Sequence, residues 1–529
     1  MTVRNLTIAV LVVVIAVYHG TGLHFIYWPD SYGYLSQALS MTGSDAYQRA
    51  DGRSVGYPAF LALPTQLPAT ALIVTFLQTA LVVTAYVLIY RQFNRAAPAL
   101  APGQKALRTT FVVWFPVALA LSSSYSALQT FILSMLPEIL FAVLVLAAVV
   151  AVSRFVHREA VGPDEWWRAA ATAAIATAPV LVKPHWLFAA PALVLIVAVK
   201  LATGVMPAGK VSPVRRFGLV AAALAVSFAA FFAASWPERH LSATVNAETT
   251  LFGPRTLFCN HAHMIADARI RHASFRLHAD PAIDTAVSDA ISVIRARDDQ
   301  PWKYLGTNGD LCLTDTGLST LLNQKFPSID DQRRFLAGAY LGAFRVEPLR
   351  FAAQILRQIS LGFEIAFLRF SKHSPFDQEG FERSVAKFKL SPSFLAGTTQ
   401  NGEVGPLGGK DKLKSSVIGW AVLIVLSVTF IPLNILYVAL VALSVAAAPL
   451  RWKTWGPERR RAYLAYIGVP LAAIFAHHLL IAVAHTFDIW RYAFGMFFVN
   501  LLLIATASLF WLEEYRPNPS RTRAGVPSP

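Results

Sequence analysis

Runs of about twenty apolar residues, most of them flanked by Lys and Arg, recur along this chain and leave it few ways to fold. A run of that length is what an α-helix needs to cross the ~30 Å hydrocarbon core of a bilayer. Inside the bilayer the backbone must close its own hydrogen bonds, which helices do. Composition agrees. Of 529 residues, 55% are hydrophobic and 14% charged, whereas soluble domains carry about 25% charged residues. The chain therefore reads as an all-α polytopic membrane protein. Its formal charge of +16 does not point to nucleic acid. The Lys and Arg lie between apolar segments, where they set orientation, and no recognition module accompanies them.

The order of spans follows from those flanks. Residues 6–26 form a first span with Arg4 on the cytoplasmic side. A cleaved signal peptide is the alternative, but no small-x-small site follows the apolar core cleanly. Residues 69–90 return to Arg91, Arg95, Lys105 and Arg108. Then 109–121 lead out, 131–152 lead in to Arg154 and Arg158, and 169–182 with 186–201 make a hairpin. Its outer tip is Lys183-Pro184-His185. Residues 217–234 lead out again, completing an N-terminal module, 1–235, whose first outer loop is 27–68.

Residues 236–348 are mixed polar sequence and read as a small extracytoplasmic α or α/β domain. It holds both cysteines, Cys259 and Cys312, which can pair if the domain faces an oxidising compartment. A bridge would close a loop of about 50 residues, worth roughly 4 kcal/mol; two free thiols are the alternative. The C-terminal helices occupy 349–512, and a Pro- and Arg-rich tail, 513–529, reads as disordered. The basic loop Arg451, Lys453, Arg459, Arg460 and Arg461 should be cytoplasmic. Two runs precede it, 417–431 and 433–450, broken at Pro432. Parity then requires 349–370 to cross as well, for about twelve spans with both ends inside. The charges in 349–370 suit equally an amphipathic helix on the outer surface.

This topology gathers Asp30, Arg53, Glu138, Lys183, His185, Asp488 and Arg491 at the outer surface. Charges at membrane depth are costly and are functional candidates by default. Asp30 follows Trp28-Pro29 at the start of a short helix, where free N–H groups favour a carboxylate; simple capping is the bland alternative. Glu138 is a second acid that faces either a cavity or a helix interface. Lys183, His185 and Arg491 would suit a phosphate, or else snorkel to the interface. The pair His261-x-His263 has no clear third ligand, so no metal site is assigned. Neither a phosphate-cradling glycine loop nor Gly-x-Ser-x-Gly occurs.

Several short motifs recur together. They are Asp30-Ser31-Tyr32, Arg53-x-x-Gly56-Tyr57-Pro58, Pro137-Glu138, Val182-Lys183-Pro184, Glu347-Pro348 and Arg491-Tyr492. In order and membrane side, the set resembles the GT-C superfamily of membrane glycosyltransferases, in the branch that includes protein O-mannosyltransferases and lipid A aminoarabinose transferases. The resemblance implies a GT-C-like bundle, a polyprenyl-phosphate-linked sugar donor, and a glycolipid, glycan or protein acceptor on the periplasmic face of a bacterial inner membrane. It implies Asp30 as general base for an inverting transfer. It further implies Lys183, His185, Arg491 and Tyr492 around the donor phosphate, with Tyr32, Arg53 and Tyr57 shaping the first loop.

Two departures stand out. Many relatives carry paired acids in the first loop, where this chain has Asp30-Ser31 with Asp45 and Asp51 further on. Room is thus left for a divalent metal, and no other cofactor is implied. Many also carry Arg where this chain has Lys183, which lacks the bidentate fork. Two other functions compete: a polysaccharide polymerase or ligase, and a lipid-linked sugar transporter. A transporter is expected to show repeat symmetry between halves, and none is visible.

Overall fold

The computed structural model describes residues 3–21, 29–43, 53–67, 70–122, 128, 131–132, 134–159, 164–205, 213–244, 248–296, 317–364, 417–484 and 492–515. Every regular element among them is a helix. In chain order these are α1 (Val3–Thr21), α2 (Pro29–Thr42), α3 (Gly56–Ala62), α4 (Thr70–Leu100), α5 (Lys105–Ser122), α6 (Glu138–His157), α7 (Asp164–Thr177), α8 (Trp186–Val205) and α9 (Pro213–Thr244). The polar domain contributes α10 (Glu248–Asn260), α11 (Ala262–Arg271), α12 (Pro281–Ala296), α13 (Leu318–Lys325) and α14 (Ile329–Val346). Then come α15 (Pro348–Glu364), α16 (Val417–Arg451), α17 (Pro457–Tyr463), α18 (Val469–Ala484) and α19 (Phe497–Glu514). A π turn, Leu464–Gly468, joins α17 to α18.

Among the described residues seven helices are long and apolar enough to cross a membrane, and two shorter apolar helices lie at Arg4–Val14 and Ala189–Thr203. The most apolar windows of α6 and α19 are 72% and 83% buried by protein, against 17% for α9. Helices apolar on every face sit at the centre of a bundle, so α6 and α19 form its axis and α9 its lipid-facing edge.

Basic side chains collect at one end of that axis. Arg459 donates to the carbonyl oxygens of Leu100 and Phe510 and pairs with Glu514 at 3.4 Å. Arg451 pairs with Glu514 at 3.3 Å and Arg461 with Glu159 at 2.6 Å. Arg154 bonds Gln92 at 3.0 Å. The C-termini of α4, α6, α16 and α19 thus meet here, where cations answer the exposed carbonyls.

Three features depart from the sequence reading. The runs 417–431 and 433–450 are one continuous helix, α16, with Pro432 inside it. A proline removes one hydrogen bond, which a buried or membrane helix tolerates. At 1.5 Å per residue its 35 residues extend about 52 Å, more than one crossing. A single α16 brings the chain to the basic end without any help from 349–370. The described part of that segment lies instead in an amphipathic helix, α15, with Phe351, Gln358 and Phe363 buried and Leu349 and Leu356 exposed. It packs on α18, where a Cβ at Gly362 would stand 3.0 Å from the His478 ring. The span placed at 131–152 also starts later, as a regular helix only from Glu138.

Residues of α10–α14, joined by Phe351 of α15, build a second, separate core that includes Phe258, Ile265, Phe335 and Leu336. Asp284 fixes the turn between α11 and α12, accepting from the Leu277 amide at 2.6 Å and pairing with Arg269 at 2.8 Å. Cys259 is buried in this core and disulfide-bonded. The chain's other cysteine, Cys312, lies outside the described residues. Helix α9 runs 32 residues, about 48 Å, and so carries the chain from the membrane into this domain.

A single crossing by α16 has a consequence that labelling reads directly. Cysteines introduced at Leu450 and at Arg158 are expected to react with a membrane-impermeant thiol reagent from one side of the membrane, and a cysteine at Leu349 from the other. Labelling of Leu450 and Leu349 from the same side would refute it.

Candidate functional site

At the end of the bundle away from the arginines, three of the sequence motifs come together with Tyr492 of a fourth. Two glycines allow it. Gly33 on α2 leaves space that the Arg53 guanidinium fills, and any Cβ there would collide with it. Arg53 consequently lies 5.3 Å over the Tyr34 ring. Gly56 lets the Arg53–Pro58 turn press on the 3-10 turn Ala178–Leu181, since a Cβ would collide with the Leu181 carbonyl. The Val55 amide donates to Glu238 at 3.1 Å, a buried acid near the end of α9.

Tyr57 is fully buried. Its ring meets Tyr34 edge-on at 5.2 Å and its hydroxyl accepts from Gln78 Nε2 at 3.1 Å. The same Gln78 amide donates to the Ser134 carbonyl at 2.9 Å. The first-loop turn is therefore tied to the strand of chain leading into Pro137-Glu138.

The Ala178–Leu181 turn delivers Lys183. Its ammonium donates to Glu138 Oε1 at 3.0 Å; the Lys side chain is 7% exposed and the Glu 0%. Glu138 is the first residue of α6, just after Pro137, where the helix N-terminus favours a carboxylate. The ammonium also lies 4.7 Å from the Tyr492 ring centroid and 5.6 Å from that of Phe141. Two residues assigned separate tasks from the sequence, a second acid and a phosphate ligand, are thus partners. A lone charge of either sign costs about 2.5–3.5 kcal/mol at the centre of a span, and pairing removes most of the reason for either to leave.

Aromatic rings close the site. His185 sits 5.4 Å from Tyr492, 5.4 Å from Phe141 and 5.7 Å from His477. His477 Nε2–H donates to the Tyr492 carbonyl at 3.0 Å. Gly495 permits this nesting, because a Cβ there would stand 2.6 Å from Phe141 Cε1. The result is one fixed cation–carboxylate pair walled by two imidazoles and a phenol ring. It can donate hydrogen bonds to an anion in surroundings that exclude water.

The backbone of Asp30 lies in the first turn of α2. The side chains of Asp30 and Tyr32, and all of Asp45, Asp51, Asp488 and Arg491, lie outside the described residues. Glu238, Gln78 and His477 were not singled out from the sequence. The signal existed for two of them. Glu238 is an acid just past an apolar run, and His477-His478 is an ionisable pair inside one.

Among the described residues no group of three His, Cys, Asp or Glu is arranged to hold a metal ion. His261 of the His-x-His stretch is a core residue instead. Its Nδ1–H donates to the Leu257 carbonyl at 2.9 Å and its ring lies 5.2 Å from Tyr340 and 5.7 Å from Phe351.

No family model matches this chain, and no curated protein matches it. Among solved structures it is similar to ArnT from Cupriavidus metallidurans bound to undecaprenyl phosphate. The two are 12% identical, the match covers 94% of this chain and 78% of that one, and the TM-score is 0.33. At that level the likeness assigns neither an activity nor a site.

Two outcomes follow from this geometry. Glu138→Gln takes a carboxylate away from a buried ammonium, and removing one partner of a buried pair costs about 3–5 kcal/mol. The unfolding temperature in detergent is expected to fall, and Lys183→Met in the same chain to recover much of the loss. An unchanged single variant would mean the pair carries no such constraint. Burial pushes His261 down from 6.5 to about 4. The unfolded chain therefore takes up the proton first, and the stability linked to neutral His261 is whole above about 6.5 and lost as pH falls towards 4. Unfolding scans across that window should show the loss, and His261→Phe should flatten it; identical pH profiles would exclude His261 as the cause.

Proposed function

We propose that this chain is an integral membrane glycosyltransferase of GT-C type, moving a sugar from a polyprenyl-phosphate carrier to an acceptor hydroxyl. The observation that carries this reading is polarity along α6. Its first residue, Glu138, holds Lys183 in the aromatic site, and its last turn holds Arg154 within the arginine cluster. Twenty residues separate the two ends by about 28 Å, the depth of a bilayer core. If the arginine cluster faces the cytoplasm by the positive-inside rule, the site opens on the other surface. In a bacterial inner membrane that surface faces the periplasm.

The mechanism runs through this chain's own groups. Asp30 accepts the proton of the acceptor hydroxyl as its oxygen attacks the anomeric carbon. The carrier phosphate leaves from the opposite face, so configuration inverts. Lys183, His185 and Arg491 oppose the charge developing on that phosphate, in surroundings where such contacts are strong. Glu138 acts as the residue that positions Lys183 rather than as a second acid. Arg53, Tyr32 and Tyr57 shape the first loop, and Tyr492 provides the ring against which the ammonium rests. The acceptor is a glycolipid, glycan or protein hydroxyl. Whether a divalent metal joins Asp30 turns on Asp30, Asp45 and Asp51.

The test uses purified protein reconstituted with radiolabelled polyprenyl-phosphate sugars, wild type beside Asp30→Asn. Wild-type transfer that falls roughly 100-fold or more in the variant is the expected outcome. Transfer indifferent to the substitution would move the assignment to a polymerase or ligase. Labelled lipid that only changes leaflet would make the chain a transporter.

A further inference from the structure

The helical domain carries a feature that the transfer mechanism does not use. Between residues 272–280 and one face of α14 lies an open groove of about 890 Å³. Gly338, Ala339 and Gly342 form its floor. A side chain at Gly342 would press to 2.7 Å on the Phe275 ring, whereas one at Gly338 would meet nothing within 4 Å. The groove is therefore open above Gly338 and closed by packing below Gly342.

Its charge is segregated. Across residues 236–348 the sequence holds 12 Lys and Arg against 13 Asp and Glu, close to balance. The groove nevertheless gathers Arg276, Arg334 and Arg345, with Asp331 as the acid among its lining residues. Asp331 pairs with Arg334 at 2.6 Å. Arg276 and Arg345 are exposed and make no ion pair among the described residues. His278 Nδ1 accepts the Asp280 amide at 3.0 Å, so its Nε2 is the ring's donor. Donors of this kind fit phosphate or carboxylate oxygens.

Apolar surface adjoins the cations. Leu341 and Val346 on α14, and Leu349 at the start of α15, are 48%, 36% and 85% exposed. Arg345 sits among them in sequence, and α15 rests against the membrane helix α18. A soluble anion has no use for such neighbours, whereas an amphiphile matches both parts. We propose that this groove binds the anionic headgroup of a membrane-anchored lipid. That the lipid is the sugar acceptor rests on the glycosyltransferase reading; that the groove binds it does not.

The full chain in detergent is titrated calorimetrically with dihexanoyl phosphatidic acid below its micellar concentration. Dihexanoyl phosphatidylcholine and inorganic phosphate serve as comparisons. Phosphatidic acid is expected to bind more tightly than either. Arg276→Gln with Arg345→Gln should weaken it roughly tenfold or more, the loss of charge-assisted bonds. Gly338→Leu should block the groove by volume while keeping the unfolding temperature, since Leu is the better helix former. Lys325→Gln with Arg333→Gln, outside the groove, should change nothing. Inorganic phosphate binding as tightly, equal weakening by the outside pair, or binding that survives both groove variants would each overturn the proposal. Asp30→Asn serves to separate the two readings: it should abolish transfer and leave this binding intact. A chain without transferase activity that still binds phosphatidic acid in the groove would keep this site and lose only the acceptor role.

Discussion

Lys183 and Glu138 answer each other's charge at membrane depth, 3.0 Å apart and buried. A buried ion pair seldom adds net stability over apolar packing, but it fixes who must meet whom. Here it joins the first residue of α6, at the axis of the bundle, to the turn between α7 and α8. Once that turn is fixed, Gly56 brings the Arg53–Pro58 turn onto it, and Glu238 holds the Val55 amide from the end of α9. The Arg53–Pro58 turn, the central helix and the α7–α8 hairpin therefore share one anchor. Tyr492 and His185 complete it from the last span and the hairpin tip.

The opposite end is organised by a different force. Arg451, Arg459 and Arg461 reach carbonyl groups and carboxylates at the ends of α4, α6, α16 and α19. These contacts are more exposed than the Lys183 pair and individually weak. Their common position is what matters, because it gives the bundle a polar sense. An arginine-lined end and an aromatic end with one balanced charge pair lie a bilayer's depth apart.

The helical domain has its own core and its own charge pattern, and meets the bundle through α10 and α15. Phe351 belongs to the domain's core while Phe363, twelve residues on, packs against Phe475 and His478 of the bundle. One amphipathic helix thus serves two partners. That is why the segment is too polar for a lipid-facing span yet helical throughout its described length.

Much of this was readable in the chain. Apolar runs with basic flanks determined an all-helical membrane protein, the position of its polar domain and the residues to watch, because the bilayer penalises unpaired backbone and isolated charge wherever they occur. The sequence could not say that Pro432 lies within one helix, since whether a helix bears a proline's local penalty depends on the packing and the bilayer around it. Nor could it pair Lys183 with Glu138, 45 residues apart, or bring Glu238 to Val55 across 183. Those partnerships depend on which helices become neighbours. Neighbours are chosen by packing, where Gly56 and Gly495 permit a close approach that a Cβ would obstruct.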